Sequence, residues 1–178
     1  MVKLITHHSK EFLLNQAKGA EHMMTYGNGQ NILYQIINKG EKCMKKGTFA
    51  RYMNKTFRVS DRNGSHIGLV SENQADVDNG FLEYIYPSYY KDSDSSPKLY
   101  IKEVKKADLD ELYEVDYEAK YNGYIFNLDF YEDGTKLSLG TSETEPARQN
   151  GFERTDKYYY EKSVKKDEIE IIEMIKKL

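Results

Sequence analysis

Two short strings contain residues of the kinds that transfer protons or bind phosphate in active sites. His22 precedes a Gly27-Asn28-Gly29 string by five residues, and Glu143 and Glu145 are separated by one residue. Histidine and glutamate are common general acids and bases. Glycine-rich turns at the start of a helix bind phosphate through backbone N–H groups. These two strings are therefore the candidates for an enzymatic site.

The string from His22 to Gly29 resembles the signature loop of Fic-type AMP transferases. In that family the histidine is the general base and the Gly-Asn-Gly loop holds phosphates, so the resemblance implies these roles for His22 and for residues 27–29. The string departs from the family pattern at Tyr26, where an acidic residue is expected. It departs again at Gln30 and Leu33, where two phosphate-binding arginines are expected.

The Glu143-Thr144-Glu145 string resembles the catalytic loop of arginine-directed ADP-ribosyltransferases. The resemblance implies that Arg51 or Arg58 is the arginine that binds NAD. The family's Ser-Thr-Ser motif is missing, and Pro146 follows where a strand should begin. An NAD- or nucleotide-using transferase with Glu143, Glu145, Arg51 and His22 at its site is the enzymatic alternative.

No other string indicates a cofactor or a metal. The four histidines lack the short fixed spacings of a zinc site, and Cys43 is the only cysteine. A single cysteine excludes an internal disulfide, which favours a reducing compartment. The sequence contains no Gly-x-Ser-x-Gly string, no phosphate-binding Gly-x-x-x-x-Gly-Lys string and no dinucleotide fingerprint. We therefore expect no cofactor and no bound metal.

Tyrosine is the unusual feature of the composition, with 16 residues in a chain that has no tryptophan. Tyrosine is enriched at interfaces because its large amphipathic ring is ordered at small entropic cost. One cluster of tyrosines lies directly before an acidic loop. We predict that this region binds a protein partner through Tyr84, Tyr86, Tyr89, Tyr90, Asp92 and Asp94.

Charge is distributed unevenly along the chain. Residues 1–60 contain 10 basic and 3 acidic residues, whereas residues 61–178 contain 16 basic and 26 acidic residues. One interpretation is that the two parts neutralise each other on folding. The other is that the basic stretch from Lys39 to Arg58 binds nucleic acid.

The helical and strand patterns predict an α+β fold in a single domain, residues 1–178. We expect N-terminal helices at residues 9–19 and 30–37, then a curved, largely antiparallel sheet of about six to eight strands. Residues 61–64, which contain Asn63-Gly64, and residues 132–135 are predicted hairpin turns. Residues 140–155 are predicted to be a loop, and an amphipathic helix is expected from Asp167 to the C-terminus.

These observations together favour a non-enzymatic protein-binding factor of the inhibitor, immunity or anti-defence type. The excess of 21 lysines over 5 arginines, with many asparagines, indicates a low-GC bacterium or its phage or mobile element. The first residues lack the apolar stretch of a signal peptide, and no stretch is long enough to span a membrane. We expect a cytoplasmic protein that makes no membrane contact.

Overall fold

The computed structural model describes residues 21–25, 31–37, 44–87, 89, 96–130 and 136–178. Within them the chain is built mainly of antiparallel strands joined by short turns. The strands are β1 (Glu21–Thr25), β2 (Asn31–Ile37), β3 (Gly47–Tyr52), β4 (Lys55–Asn63), β5 (His66–Ser71), β6 (Leu82–Glu83), β7 (Tyr100–Lys105), β8 (Glu111–Tyr121), β9 (Tyr124–Phe130), β10 (Leu137–Thr141), β11 (Glu153–Asp156), β12 (Tyr159–Val164) and β13 (Glu170–Lys177). The helix α1 spans Thr144–Gln149, and 3₁₀ turns span Gln74–Asn79, Lys106–Asp108 and Lys166–Glu168.

The described residues divide into two compact units. One unit contains residues 47–113 with Leu178, and the other contains the residues up to 46 together with 114–177. The strand order in the unit of residues 47–113 is β3-β4-β5-β7-β6, so β6 ends this order. Its core contains the buried side chains of Ala50, Phe57, Ile67, Leu69, Phe81, Tyr100, Val104 and Leu112.

The unit of residues 114–177, with β1 and β2, contains one connected set of paired strands, because β13 pairs with both β2 and β8. Its strand order β11-β12-β10-β9-β8 ends at β11, while β13 pairs with β2 and β8, and β2 pairs with β1. Tyr34 on β2 and Ile172 on β13 are buried against each other, with Ile32, Ile125 and Met174 packed around them.

The predicted α+β fold is wrong, because the helices expected at residues 30–37 and after Asp167 are the paired strands β2 and β13. The predicted loop at 140–155 contains α1 and β11, and thirteen strands are present among the described residues instead of six to eight. The helix expected at residues 9–19 lies outside the described residues.

The helix predicted after Asp167 is wrong because β13 is covered on both faces. Ile171, Ile172 and Glu173 are consecutive and all buried, so polar and apolar residues do not alternate along the strand. A short apolar run of this kind fits a helix and a doubly covered strand equally well. The many isoleucines favoured the strand, since β-branched side chains pack well on a pleated sheet.

Two hairpins predicted from local sequence are confirmed, although Asp61 and Arg62, predicted to be in the first turn, belong to β4, and the second turn lies outside the described residues. β4 and β5 are joined at Asn63 and His66 through a turn in which Gly64 has a φ of +59°, a conformation that glycine adopts without strain. β9 and β10 pair with Leu128 opposite Leu139, and both side chains are buried on the apolar face expected of them.

Candidate functional site

The tyrosine cluster falls at the edge of the sheet that contains β6. Leu82 lies opposite Ile101 of β7 and Glu83 lies opposite Tyr100. The pairing continues one residue further, because the Tyr84 N–H donates to the Leu99 carbonyl oxygen at 2.7 Å. None of the strands in the described residues pairs with the other side of β6.

Large apolar side chains are exposed along this edge. The exposed fraction is 75% for Leu82, 86% for Ile85 and 83% for Tyr89, and Tyr84 is also exposed. Leu82 and Ile85 lie on opposite faces of the strand, since side chains alternate along it. We call residues 82–87 together with Tyr89 the edge segment.

The predicted partner-binding residues that the structure describes, Tyr84, Tyr86 and Tyr89, belong to this segment. The rings of Tyr84 and Tyr86 meet edge to face with their centroids 5.1 Å apart. The Tyr86 hydroxyl donates to the Pro97 carbonyl oxygen at 2.8 Å. These contacts hold two of the tyrosines in place before any partner arrives. Tyr90, Asp92 and Asp94 lie outside the described residues, so their role stays a prediction.

Sequence reasoning missed Leu82 and Ile85, which are more exposed than Tyr84. The signal that could have found them is the run from Phe81 to Tyr86, which ends at Pro87. Apolar residues occur at both odd and even positions of this run, and therefore on both faces of a strand. Proline is tolerated at sheet edges and not in central strands. An apolar strand that ends in proline is therefore compatible with a position at the exposed edge of a sheet.

A buried carboxylate, also missed, anchors the turn that leads into β6. Asp76 is 3% exposed. Its Oδ1 accepts a hydrogen bond from Lys55 Nζ at 2.6 Å and another from Asn79 Nδ2, while its Oδ2 accepts one from Ser71 Oγ at 2.7 Å. The hydrogen bonds from Lys55 and Ser71 hold the pKa of Asp76 below its ordinary value of 3.8, against the opposing effect of burial.

The same turn is held from its other end by Lys102. Its Nζ donates to the Asn79 carbonyl oxygen at 2.7 Å and lies over the rings of Tyr52 and Phe81. Phe81 is 1% exposed and packs on Phe57 with ring centroids 5.0 Å apart. Asp76 and Lys102 thus fix the residue from which the edge segment starts.

The residues of the enzymatic alternative occupy short local structures. Glu143 is the N-cap residue of α1, and Glu145, in its first turn, accepts a hydrogen bond from Gln149 Nε2 at 3.0 Å. Glu145 therefore lies on a helix, whereas the resemblance implied a loop before a strand. Arg51 belongs to the other unit and lies 3.9 Å from a carboxylate oxygen of Glu111.

The histidine string is described only in part. Residue 22 belongs to β1, where its backbone lies opposite Tyr34 of β2. Residues 26–30, which include the Gly-Asn-Gly string, lie outside the described residues. Leu33, at a position where the resemblance called for arginine, lies within β2.

Several side chains of the basic stretch are paired with acidic residues. Lys46 Nζ lies 2.8 Å from Asp116 and 3.4 Å from Asp129, and Lys55 Nζ lies 2.6 Å from Asp76. Lys39 and Lys42 lie outside the described residues. The ion pairs fit the interpretation in which the basic and acidic parts of the sequence neutralise each other.

The Lys46 contacts join two acidic residues on neighbouring strands. Glu118 of β8 lies opposite Asn127 of β9, and the same register places Asp116 opposite Asp129. Like charges directly opposite each other destabilise a strand pair. Burial lowers the pKa of Lys46, but its hydrogen bonds and charge interactions with both aspartates outweigh this and raise the pKa above 10.5. The ammonium thus bridges the two strands.

We expect Lys46→Met to lower the free energy of unfolding by about 0.5–1 kcal/mol, since all three groups are partly exposed. Because the folded-state pKa is raised, the contribution of Lys46 is fully present below pH 10.5 and is lost as the pH rises through that pKa. Urea denaturation in low and high salt measures the effect, with the exposed Lys45→Met as control. A loss that is the same at both salt concentrations would contradict the ion-pair explanation.

A second buried acid lies in the other unit. Glu173 is 1% exposed, and its Oε1 accepts a hydrogen bond from the Tyr117 hydroxyl at 2.8 Å. The Tyr117 oxygen in turn accepts one from the Lys45 N–H at 3.3 Å. This chain of hydrogen bonds connects β13, β8 and the segment before β3, which is the arrangement of a structural network.

Among the residues that the structure describes, no three His, Cys, Asp or Glu side chains converge as metal ligands would. In the same part of the chain, no helix combines the length and apolar character needed to cross a membrane.

Comparison with known proteins identifies a family for most of the chain. The model of a family described as "Uncharacterised conserved protein UCP033725" matches residues 44–178. That range includes the edge segment and the Asp76 network, and it excludes the histidine string. No curated protein and no solved structure matches the sequence.

Proposed function

We propose that this chain, which belongs to the family described as "Uncharacterised conserved protein UCP033725", is a non-enzymatic protein-binding factor that recognises its partner through the edge segment. The exposure of Leu82, Ile85 and Tyr89 carries the proposal. A partner that covers these side chains removes them from water. Full burial of one such side chain contributes about 1.5–3 kcal/mol to the free energy of association. We further propose that the protein acts in the cytoplasm of a low-GC bacterium as an inhibitor, immunity or anti-defence factor.

Order within the segment supports a binding role. The Tyr86–Pro97 hydrogen bond and the Tyr84–Tyr86 ring contact reduce the conformational freedom that binding would otherwise have to remove. The Asp76 network fixes the start of the segment. An interface whose anchors are held in position before binding loses less entropy on association.

The experiment is affinity capture from a nuclease-treated lysate of a low-GC bacterium, with mass spectrometry as readout. The test protein carries Leu82→Ser, Ile85→Ser and Tyr89→Ser together, and the control carries Tyr158→Ser, which removes an exposed aromatic residue of the other unit. We expect a stoichiometric partner with the natural protein and with the control, and its loss with the triple variant. Unchanged capture by the triple variant would exclude the edge segment as the binding surface.

A further inference from the structure

We infer that the outer edge of β6 binds an extended, basic segment of the partner protein as an added β-strand. The inference rests on the proposed function and specifies its mode and the chemistry of the partner. Strand addition is a recurring form of peptide recognition in which main-chain hydrogen bonds supply affinity and alternating side chains supply specificity.

Backbone register leaves hydrogen-bonding groups directed outward at this edge. In an antiparallel pair, successive residues turn their N–H and C=O groups alternately toward the partner strand and away from it. The Tyr84 N–H donates to Leu99, so Tyr84 faces β7. The same alternation directs the N–H and C=O groups of Glu83 and Ile85 away from β7. No described strand pairs with that side.

Among the residues that the structure describes, the edge has few of the features that prevent strand pairing. Natural proteins protect exposed edges with inward-pointing charges, bulges, prolines or covering loops. Here Pro87 limits the length of the edge, and Glu83 is engaged with Lys98 Nζ at 3.4 Å. Leu82 and Ile85 nevertheless project from opposite faces of the strand. Side chains on one face of a short added strand would cover Leu82, and side chains on its other face would cover Ile85.

Charge selects a basic partner over a second copy of this chain. Residues 72–94 contain six acidic residues and one basic residue, Lys91. Lys55 and Lys98 pair with Asp76 and Glu83, and Glu72 and Asp78 are further exposed acidic residues in the described part of this stretch. A second copy of this chain would carry the same excess of acidic residues in this stretch. A segment in which lysine or arginine alternates with apolar residues complements both the charge and the exposed side chains.

The test measures binding of labelled synthetic peptides to the full chain by fluorescence anisotropy. The probe is a short peptide of alternating lysine and valine. Two comparison peptides replace lysine with glutamate or carry N-methyl groups on alternate amides, which removes the donors that pair with an edge. We expect binding of the lysine peptide alone, and weaker binding at high salt. Equal binding of the glutamate or the N-methylated peptide would overturn the inference.

Two substitutions of one residue separate backbone from side chain. Ile85→Ala removes the apolar side chain and keeps the outward N–H, whereas Ile85→Pro removes both and leaves the Tyr84–Leu99 hydrogen bond in place. We expect Ile85→Pro to weaken peptide binding by about fivefold to tenfold beyond Ile85→Ala, which corresponds to one lost hydrogen bond. Equal binding by the two variants would exclude strand addition.

The same variants distinguish this inference from the proposed function. If Ile85→Pro still captures the cellular partner while the triple serine variant does not, the edge segment binds protein in another way and only strand addition is excluded. If the triple serine variant also captures the partner, both proposals are wrong.

Discussion

Asp76→Ala is expected to lower the free energy of unfolding by about 3 kcal/mol. Asp76 is buried and accepts hydrogen bonds from Lys55, Ser71 and Asn79. Its removal leaves the buried Ser71 hydroxyl and the Lys55 ammonium without this acceptor, and breaking such a network is among the most costly single changes. Because the network holds the start of the edge segment, partner binding should weaken as well. Urea denaturation measures the loss of stability.

The exposed Asp78 in the same turn provides the matched control, and Asp78→Ala should change stability by no more than about 0.5 kcal/mol. The pH dependence has a defined sign. Since the folded-state pKa of Asp76 is lowered, its contribution is present above pH 3.8 and is lost as the pH falls through the lowered value. Asp76→Asn should abolish this part of the acid sensitivity. Equal losses for Asp76→Ala and Asp78→Ala would contradict the role of the network.

Glu173→Ala is expected to lower the free energy of unfolding by a similar amount, about 3 kcal/mol. The substitution leaves the buried Tyr117 hydroxyl without its Glu173 acceptor. It also creates a cavity beside β13, which is buried on both faces. Glu170→Ala, on the same strand and partly exposed, is the matched control and should cost less than about 1 kcal/mol.

A double-mutant cycle isolates the hydrogen bond itself. Tyr117→Phe and Glu173→Met each leave one polar partner buried, whereas the double variant removes both. Replacing both partners by apolar groups of similar shape is nearly neutral in many proteins, so the double variant should be less destabilised than the sum of the single variants, by about 1–2 kcal/mol. Additive losses would show that the two side chains act independently.

The parts of the fold that sequence predicted correctly are those specified locally. The Asn63-Gly64 turn and the alternation from Tyr124 to Phe130 each define a hairpin within a few residues. β13 was misassigned because its partners β2 and β8 are far away in the sequence and both of its faces are covered, and the pairing of β2 with β13 is equally non-local. Glu173 shows the consequence, since a helical reading places it on the solvent side while the structure buries it against Tyr117, 56 residues away.

The predicted partner-binding residues Tyr84, Tyr86 and Tyr89 fall within the edge segment, and their role in binding stays a prediction. Four tyrosines within residues 84–90 indicated this region, because so dense a cluster is unusual in a sequence. Leu82 and Ile85 were not identified, since an apolar residue in a strand is normally assigned to the core. Their exposure follows from the position of β6 at the end of the strand order, and strand order depends on non-local pairing that no local pattern reveals.

Amide hydrogen exchange on the complex with the captured partner tests the central claim most directly. We expect the amides of Glu83 and Ile85 to exchange more slowly when the partner is bound. The amide of Tyr84, which is already bonded to Leu99, should change little. Protection confined to other regions, such as the β11 edge of the other unit, with unchanged exchange at Glu83 and Ile85, would contradict the assignment of the edge segment as the binding surface.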